Sequence, residues 1–216
     1  PNYDNNLFAV GASRTDFARL LEDPDLPLVN RAIAGLYAPG STFKIITASA
    51  ALQEGVITTK TRIFDPGHIS LEHEYDPSVS TPFFCWNRGG HGWLNVVGAL
   101  AHSCNVFFYE VAGGYYDESH RQEGLGSERL GRYARGFGLG QQTRIEMYGE
   151  AEGRVPTKEW LAEWSGEFWT TGLTYDMGIG QANTLATPLQ MANVTAAVAN
   201  GGTLFRPHLV ESVLNG

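Results

Sequence analysis

The sequence holds 216 residues, 18% charged, 43% hydrophobic and 12% aromatic, a composition that folds around a core and excludes a disordered chain. With 15 Lys and Arg against 23 Asp and Glu, the net charge of −8 removes the basic field that draws proteins to nucleic acid or anionic lipid. No apolar run reaches the roughly 18 residues of a membrane-spanning helix.

The length fits one domain, and the start at Pro1, without a leader-like segment, reads as a fragment. Residues 1–10 read as loop and 16–21 as a short helix ending at Asp23-Pro24. The clearest helix is 41–54: Pro39-Gly40 breaks the chain before it, Phe43, Ile45, Ile46, Ala48, Ala50 and Leu52 make it apolar on nearly every side, and Gly55 sits where a C-terminal stop belongs. A helix of that kind is buried. Residues 65–92, with Asp65-Pro66-Gly67, Asp76-Pro77 and Arg88-Gly89-Gly90, read as a long irregular loop that something must tie down. Asn95 caps a short helix through His102, a second helix covers 105–112, and Ser103 falls at their joint. A further helix spans 127–135, stopped by Gly136-Phe137-Gly138. The last begins at Thr187-Pro188 and ends at Asn200-Gly201-Gly202, and 203–213 alternates like a strand. The sum is mostly helical with little sheet.

Chemistry concentrates at Ser41 and Lys44. Residues three apart on a helix face each other with Cβ atoms about 5–6 Å apart, so the Lys44 amine can reach the Ser41 hydroxyl. Burial lowers a lysine pKa and makes a neutral amine available as base; a base beside a serine makes a nucleophile. The helix start adds positive dipole and free N–H groups for an oxyanion. The plain alternative is a capping Ser41 with Lys44 extended to water.

The surrounding strings decide for chemistry: Asn30-Arg31-Ala32, Tyr37-Ala38-Pro39-Gly40-Ser41-Thr42-Phe43-Lys44, and Ser103-Cys104-Asn105 about sixty residues on. With these the chain resembles the penicillin-binding transpeptidases, whose motif set opens with Ser-x-x-Lys and Ser-x-Asn. Phe64-Asp65-Pro66-Gly67, Gly90-His91-Gly92, Phe137-Gly138-Leu139-Gly140, Val155-Pro156-Thr157, Gly178-Ile179-Gly180-Gln181, Thr187-Pro188-Leu189-Gln190-Met191 and Pro207-His208-Leu209 narrow the likeness to the elongation-type class B group.

The resemblance implies an α+β serine β-lactamase/penicillin-binding-protein transpeptidase fold, with 1–216 a partial transpeptidase domain. It implies that Ser41 attacks a D-alanyl-D-alanine stem peptide, Lys44 takes the proton, and Ser103 and Asn105 relay a proton and hold the substrate amide. β-Lactams would acylate Ser41 as mimics. A glycan polymerase partner, a membrane anchor outside these residues and the outer face of the cytoplasmic membrane or periplasm follow from the same likeness.

The third family motif, Lys-Thr-Gly on a strand, does not occur between Pro1 and Gly216, so the expectation is a helical subdomain without most of its central sheet. That departure keeps a non-catalytic binding module open beside a β-lactamase-like hydrolase. At Thr143-Arg144-Ile145 the family tends to place glycine in the middle.

Asp65, Cys85, His91 and Cys104 offer a carboxylate, an imidazole and two thiolates, a set that closes a tetrahedral zinc site. The resemblance supports zinc at these positions, one of which carries aspartate in relatives where this chain has Cys85. A Cys85–Cys104 disulfide or two unrelated thiols are the alternatives. His68, His73, His102, His120 and His208 read as surface or packing residues. Trp160, Trp164 and Trp169 read as packing or as lining a substrate approach, and Gly180-Gln181 as shaping a cleft floor.

Overall fold

The computed structural model describes residues 2–9, 11–73, 76–117 and 120–214, with the side chains of 73–78 outside that description. The reading of His73 and the Asp76-Pro77 side chains therefore lies outside the described residues. Ten helices appear among the described residues: α1 (Asn6–Ala9), α2 (Arg14–Glu22), α3 (Arg31–Ala34), α4 (Lys44–Gln53), α5 (Val96–Ala101), α6 (Asn105–Gly113), α7 (Gly126–Gly136), α8 (Lys158–Ser165), α9 (Thr171–Gly178) and α10 (Pro188–Ala199). Strands β1 (Ile63–Asp65) and β4 (Gly92–Leu94), β2 (His68–His73) and β3 (Asp76–Phe84), and β5 (Tyr115–Tyr116) and β6 (Arg121–Gln122) pair antiparallel as three separate ribbons. The fold is α+β, and no larger sheet forms among the described residues.

The core is built on α6, whose Val106, Phe107, Phe108, Tyr109, Val111 and Ala112 are all buried. A helix apolar around its circumference must be covered by other helices, and α9, α4 and α7 pack against it. Thr47 Oγ1 donates to the Gly178 carbonyl at 2.8 Å, so a buried hydroxyl on α4 is satisfied by the end of α9. Ser13, Asn95, Thr157, Thr170 and Thr187 cap α2, α5, α8, α9 and α10 by accepting first-turn N–H groups, and Thr187 and Gln190 complete a reciprocal capping box.

Three expectations change. Residues 65–92 are largely ordered as hairpins: β1 and β4 close with Asp65 opposite Gly92, and β2 runs against β3 from His68 opposite Phe84. Their prolines mimic a loop signal, yet Pro77 and Pro82 lie in a two-stranded ribbon whose strands are both edges, where a missing N–H is tolerated. Residues 203–213 form no strand: the segment is exposed, and alternation makes a strand only where a neighbour takes its hydrogen bonds. The opening residues contain the short helix α1. Helices α8 and α9 are absent from the sequence reading: their caps, Thr157 and Thr170, stand in a glutamate- and tryptophan-rich stretch without clear periodicity.

Candidate active site and metal cluster

The chain enters the site through Pro39 and a tight 3-10 turn, Gly40–Phe43, before α4 begins at Lys44. The predicted helix 41–54 is thus two elements. Gly180 fixes the turn: its N–H-bearing backbone sits at φ +77°, its carbonyl accepts the Gly40 N–H at 2.9 Å, and a Cβ there would lie 2.2 Å from the Gly40 carbonyl oxygen. Gly180 therefore packs backbone to backbone against the turn that carries Ser41.

Ser41 is exposed on this turn and Lys44 is 1% exposed. The Lys44 amine does not hydrogen-bond Ser41; Nζ donates to the Ser103 carbonyl at 2.8 Å, Ser103 Oγ at 3.1 Å and Asn105 Oδ1 at 2.6 Å. An ammonium has three donors and no acceptor, so these three oxygens occupy it fully. Burial pulls its pKa from 10.5 down to about 8, with the nearby Cys104 and Cys85 sulfurs opposing. The spacing of three residues brought both groups to one helix start, while the tertiary contact decided where the amine points.

Ser103 and Asn105, predicted as a pair, are brought onto Lys44 by the joint between α5 and α6. Ser103 stands at φ +51°, a left-handed conformation that costs a non-glycine residue roughly 1–2 kcal/mol. The turn points both its carbonyl and its hydroxyl at the amine. Strain held in place by surrounding structure is characteristic of functional positions. Asn105 is fixed on its other side, Nδ2 donating to the Phe84 carbonyl at 3.3 Å and its N–H to Cys85 Sγ at 3.3 Å.

On the far side of Cys104, the four predicted metal ligands converge. One donor atom from each of Asp65, Cys85, His91 and Cys104 lies within 4.8 Å of all the others. Asp65 Oδ2 is 2.6 Å from His91 Nδ1 and 3.2 Å from Cys104 Sγ, and Cys85 Sγ is 3.6 Å from His91 Nδ1. Zinc bonds of about 2.3 Å to sulfur and 2.0 Å to nitrogen at tetrahedral angles separate those ligands by about 3.5 Å, which matches Cys85 and His91 at 3.6 Å, whereas Asp65 and His91 at 2.6 Å would have to part to admit the ion.

Both cysteines are free and buried, so the disulfide alternative does not form here. Burial foremost, with Asp65 adding to it, pushes the Cys104 thiol far above its usual range; a thiolate there requires a cation beside it. Burial would also raise Asp65, but hydrogen bonds from His91, the Gly67 N–H and both cysteines outweigh it and hold its carboxyl below the ordinary value. His91 Nε2 is buried without a hydrogen-bond partner, so the ring is held by Nδ1 and by packing against Trp86 and His102.

Several residues escaped the sequence reading. Glu110 on α6 is buried and bonded to His120 Nε2 at 2.8 Å, which makes His120 the partner of an interior acid; burial lifts Glu110 to about 7 against that bond. An acid in the middle of an apolar run was the available signal. His68 is exposed against the Phe84 ring, His102 lies beside His91 and His208 is exposed. Trp160 and Trp164 stack at 5.2 Å, and Trp169 Nε1 donates to Thr174 Oγ1 at 2.8 Å. Arg144 stands at φ +64°, a position glycine would take freely, which gives the departure at Thr143-Arg144-Ile145 a backbone cost and nothing further.

The family model of the penicillin binding protein transpeptidase domain matches residues 1–215. The chain belongs to that family. It is 41% identical over 212 residues to the peptidoglycan D,D-transpeptidase MrdA of Escherichia coli, covering 98% of this chain and 31% of that protein. Among solved structures, PBP2 of Pseudomonas aeruginosa in complex with WCK 5153 superposes with a TM-score of 0.84 at 39% identity, covering 98% of this chain and 45% of that one. PBP2 of Helicobacter pylori in complex with MreC gives 0.81 at 31% identity, covering 96% and 36%. The chain therefore spans about a third of the length of the curated relatives it matches.

Proposed function

We propose that this chain carries the acylating centre of a peptidoglycan D,D-transpeptidase. The observation that carries the reading is a buried lysine amine held by Ser103 and Asn105 at the start of the helix that follows Ser41. With a pKa of about 8, about a tenth of Lys44 is neutral at pH 7. Loss of one proton frees a lone pair to receive the Ser41 proton.

Ser41 Oγ then bonds to the carbonyl carbon of the penultimate D-alanine, the proton passes from Lys44 through Ser103 Oγ to the departing D-alanine amine, and an ester remains on Ser41. Asn105 has one amide end on Lys44 and the other on Phe84, and serves here by holding the joint and the substrate amide in register. An amine of a second stem peptide attacks the ester, forms the cross-link and returns the proton to Ser41. β-Lactams enter the same path and stop at the ester. The transpeptidase names of the relatives favour this over a lactamase, and a satisfied, strained joint around one amine favours it over a binding module.

We further infer that Asp65, Cys85, His91 and Cys104 hold zinc. The ion would supply the cation that two buried sulfurs and a carboxylate need, and would lock β1, the 85–91 segment and the α6 N-terminus together beside Ser103. A place at the cell envelope alongside a glycan polymerase is part of the same proposal. The test is intact mass after exposure to a penicillin: one adduct, lost in Ser41→Ala and strongly slowed in Lys44→Ala. An adduct that persists in Ser41→Ala would overturn it.

A further inference from the structure

The end of β3 and the segment that follows it run along the joint that presents Ser103 and Asn105. The Phe84 carbonyl accepts from Asn105 Nδ2 and from the Tyr109 hydroxyl, each at 3.3 Å, and Trp86 Nε1 donates to the His102 carbonyl at 2.9 Å. The Phe84 backbone and the Trp86 ring are thereby fastened next to the residue pair that holds Lys44. Both residues stay open to solvent, Phe84 at 43% and Trp86 at 64% exposure. Exposed aromatic surface gathered at a site is usually a surface awaiting a ligand.

Arg88 lies on the same segment, exposed, with its guanidinium carbon 3.8 Å from the centre of the Phe84 ring. Stacking of this kind fixes the plane of the guanidinium and leaves its N–H fork free. Among the described residues the Arg88 side chain has neither an ion pair nor a hydrogen bond, in a chain with eight more acidic than basic groups. The backbone beneath is rigid. A Cβ on Gly67 would lie 2.2 Å from the Arg88 carbonyl oxygen, the Cys85 N–H donates to Gly67 at 2.8 Å, and Asn87 Nδ2 donates to Gly90 at 2.7 Å. A planar cation preset on an aromatic face is built for bidentate capture of a carboxylate, and the rings beside it suit the aliphatic part of the same molecule.

We propose that Arg88, seated on Phe84 beside Trp86, binds a carboxylate of the stem peptide upstream of the D-alanyl-D-alanine bond and sets which stem peptides reach Ser41. This rests on the transpeptidase reading above, since the Phe84 carbonyl accepts from Asn105, whose other amide end holds Lys44. A penicillin lacks that upstream peptide, so its attack on Ser41 does not depend on Arg88.

The experiment uses the full-length protein and two synthetic peptides ending in D-alanyl-D-alanine, one with a free upstream side-chain carboxylate and the other with its carboxamide. Release of D-alanine is followed as kcat/KM for each, beside the rate of penicillin acylation. The parent should prefer the acid about tenfold, mostly through KM, as a single charge-assisted contact at an open site would give. Arg88→Met should erase that preference with penicillin acylation unchanged, and Arg88→Lys should keep part of it. No preference in the parent, or a preference that survives Arg88→Met, overturns the proposal. If Arg88→Met loses penicillin acylation and so fails to fold, Arg88→Lys decides: a full preference there overturns it. A parent that penicillin does not acylate at Ser41 brings down the transpeptidase reading itself, and this inference with it.

Discussion

Around Lys44 one cation meets three oxygens of the α5–α6 joint, whereas around Asp65, on the other side of Cys104, four electron-pair donors meet one another. The first centre is complete with the protein's own atoms. The second converges two sulfurs, a carboxylate and an imidazole that hydrogen-bond to one another, a donor set of the kind zinc takes. The two centres share a wall: Cys104 lies between Ser103 and Asn105, and Cys85 Sγ accepts the Asn105 N–H. The difference teaches that folding alone supplies the partners of the amine, whereas the second centre gathers groups of the kind that a cation pairs.

The comparison breaks most visibly at Lys44. Lys44→Ala removes the base and leaves three acceptors unmatched, and penicillin acylation should fall about 10²–10⁴-fold, the usual worth of a positioned base; stopped-flow acylation kinetics measure it. Lys44→Met, which fills the same space, should be as slow yet more stable than Lys44→Ala.

The pH profile sharpens the same point. Acylation should climb about tenfold per pH unit up to about 8 and then level, because only the neutral amine accepts a proton. Stability follows the same group with its sign fixed: the folded pKa is about 8 and the unfolded about 10.5, so between these values the unfolded chain binds more protons and raising pH stabilises the fold. Below about 8 the contribution is constant. Urea titrations at pH 7, 8 and 9 read it.

At the second centre the prediction discriminates between ion and no ion. With zinc in place, Asp65→Asn lowers both the metal content and the stability, the latter by about 1–3 kcal/mol for a buried charged group losing its partner. Without metal, the carboxylate still accepts from His91, the Gly67 N–H and both cysteines, so the same change lowers stability with no metal lost and no response to a chelator. Metal analysis and thermal unfolding with and without a chelator separate the two.

The smallest effect belongs to the turn that carries Ser41. Gly180→Ala places a Cβ against the Gly40 carbonyl at a positive φ, and should destabilise by about 1–2 kcal/mol while slowing acylation through the displaced turn.

How much of this was legible before the structure depends on the range over which each signal acts. Asn95, Thr187-Pro188 and the apolar residues after Ser41 announced their helices, because a cap and an amphipathic or buried period are local properties of the chain. The eight candidate residues were named from motif strings, ligand chemistry and the family likeness; the structure joins Lys44 to Ser103 and Asn105, brings Asp65, Cys85, His91 and Cys104 together beside them, and leaves Ser41 on the turn before Lys44. Residues 203–213 misled, since a strand is a property of two segments and this one pairs with no strand among the described residues.

By itself, the sequence determined which groups the protein owns for the work: one serine ahead of one lysine at a helix start, a second serine and an asparagine at a joint, and four metal-seeking side chains. Only the tertiary structure decided that the amine turns to Ser103 and Asn105 instead of Ser41, that Ser103 bears a left-handed backbone to receive it, and that Arg88 rides on Phe84 beside them. The physical reason is that a buried charge goes where the best-placed acceptors are, and which acceptors those are depends on segments nearly sixty residues away.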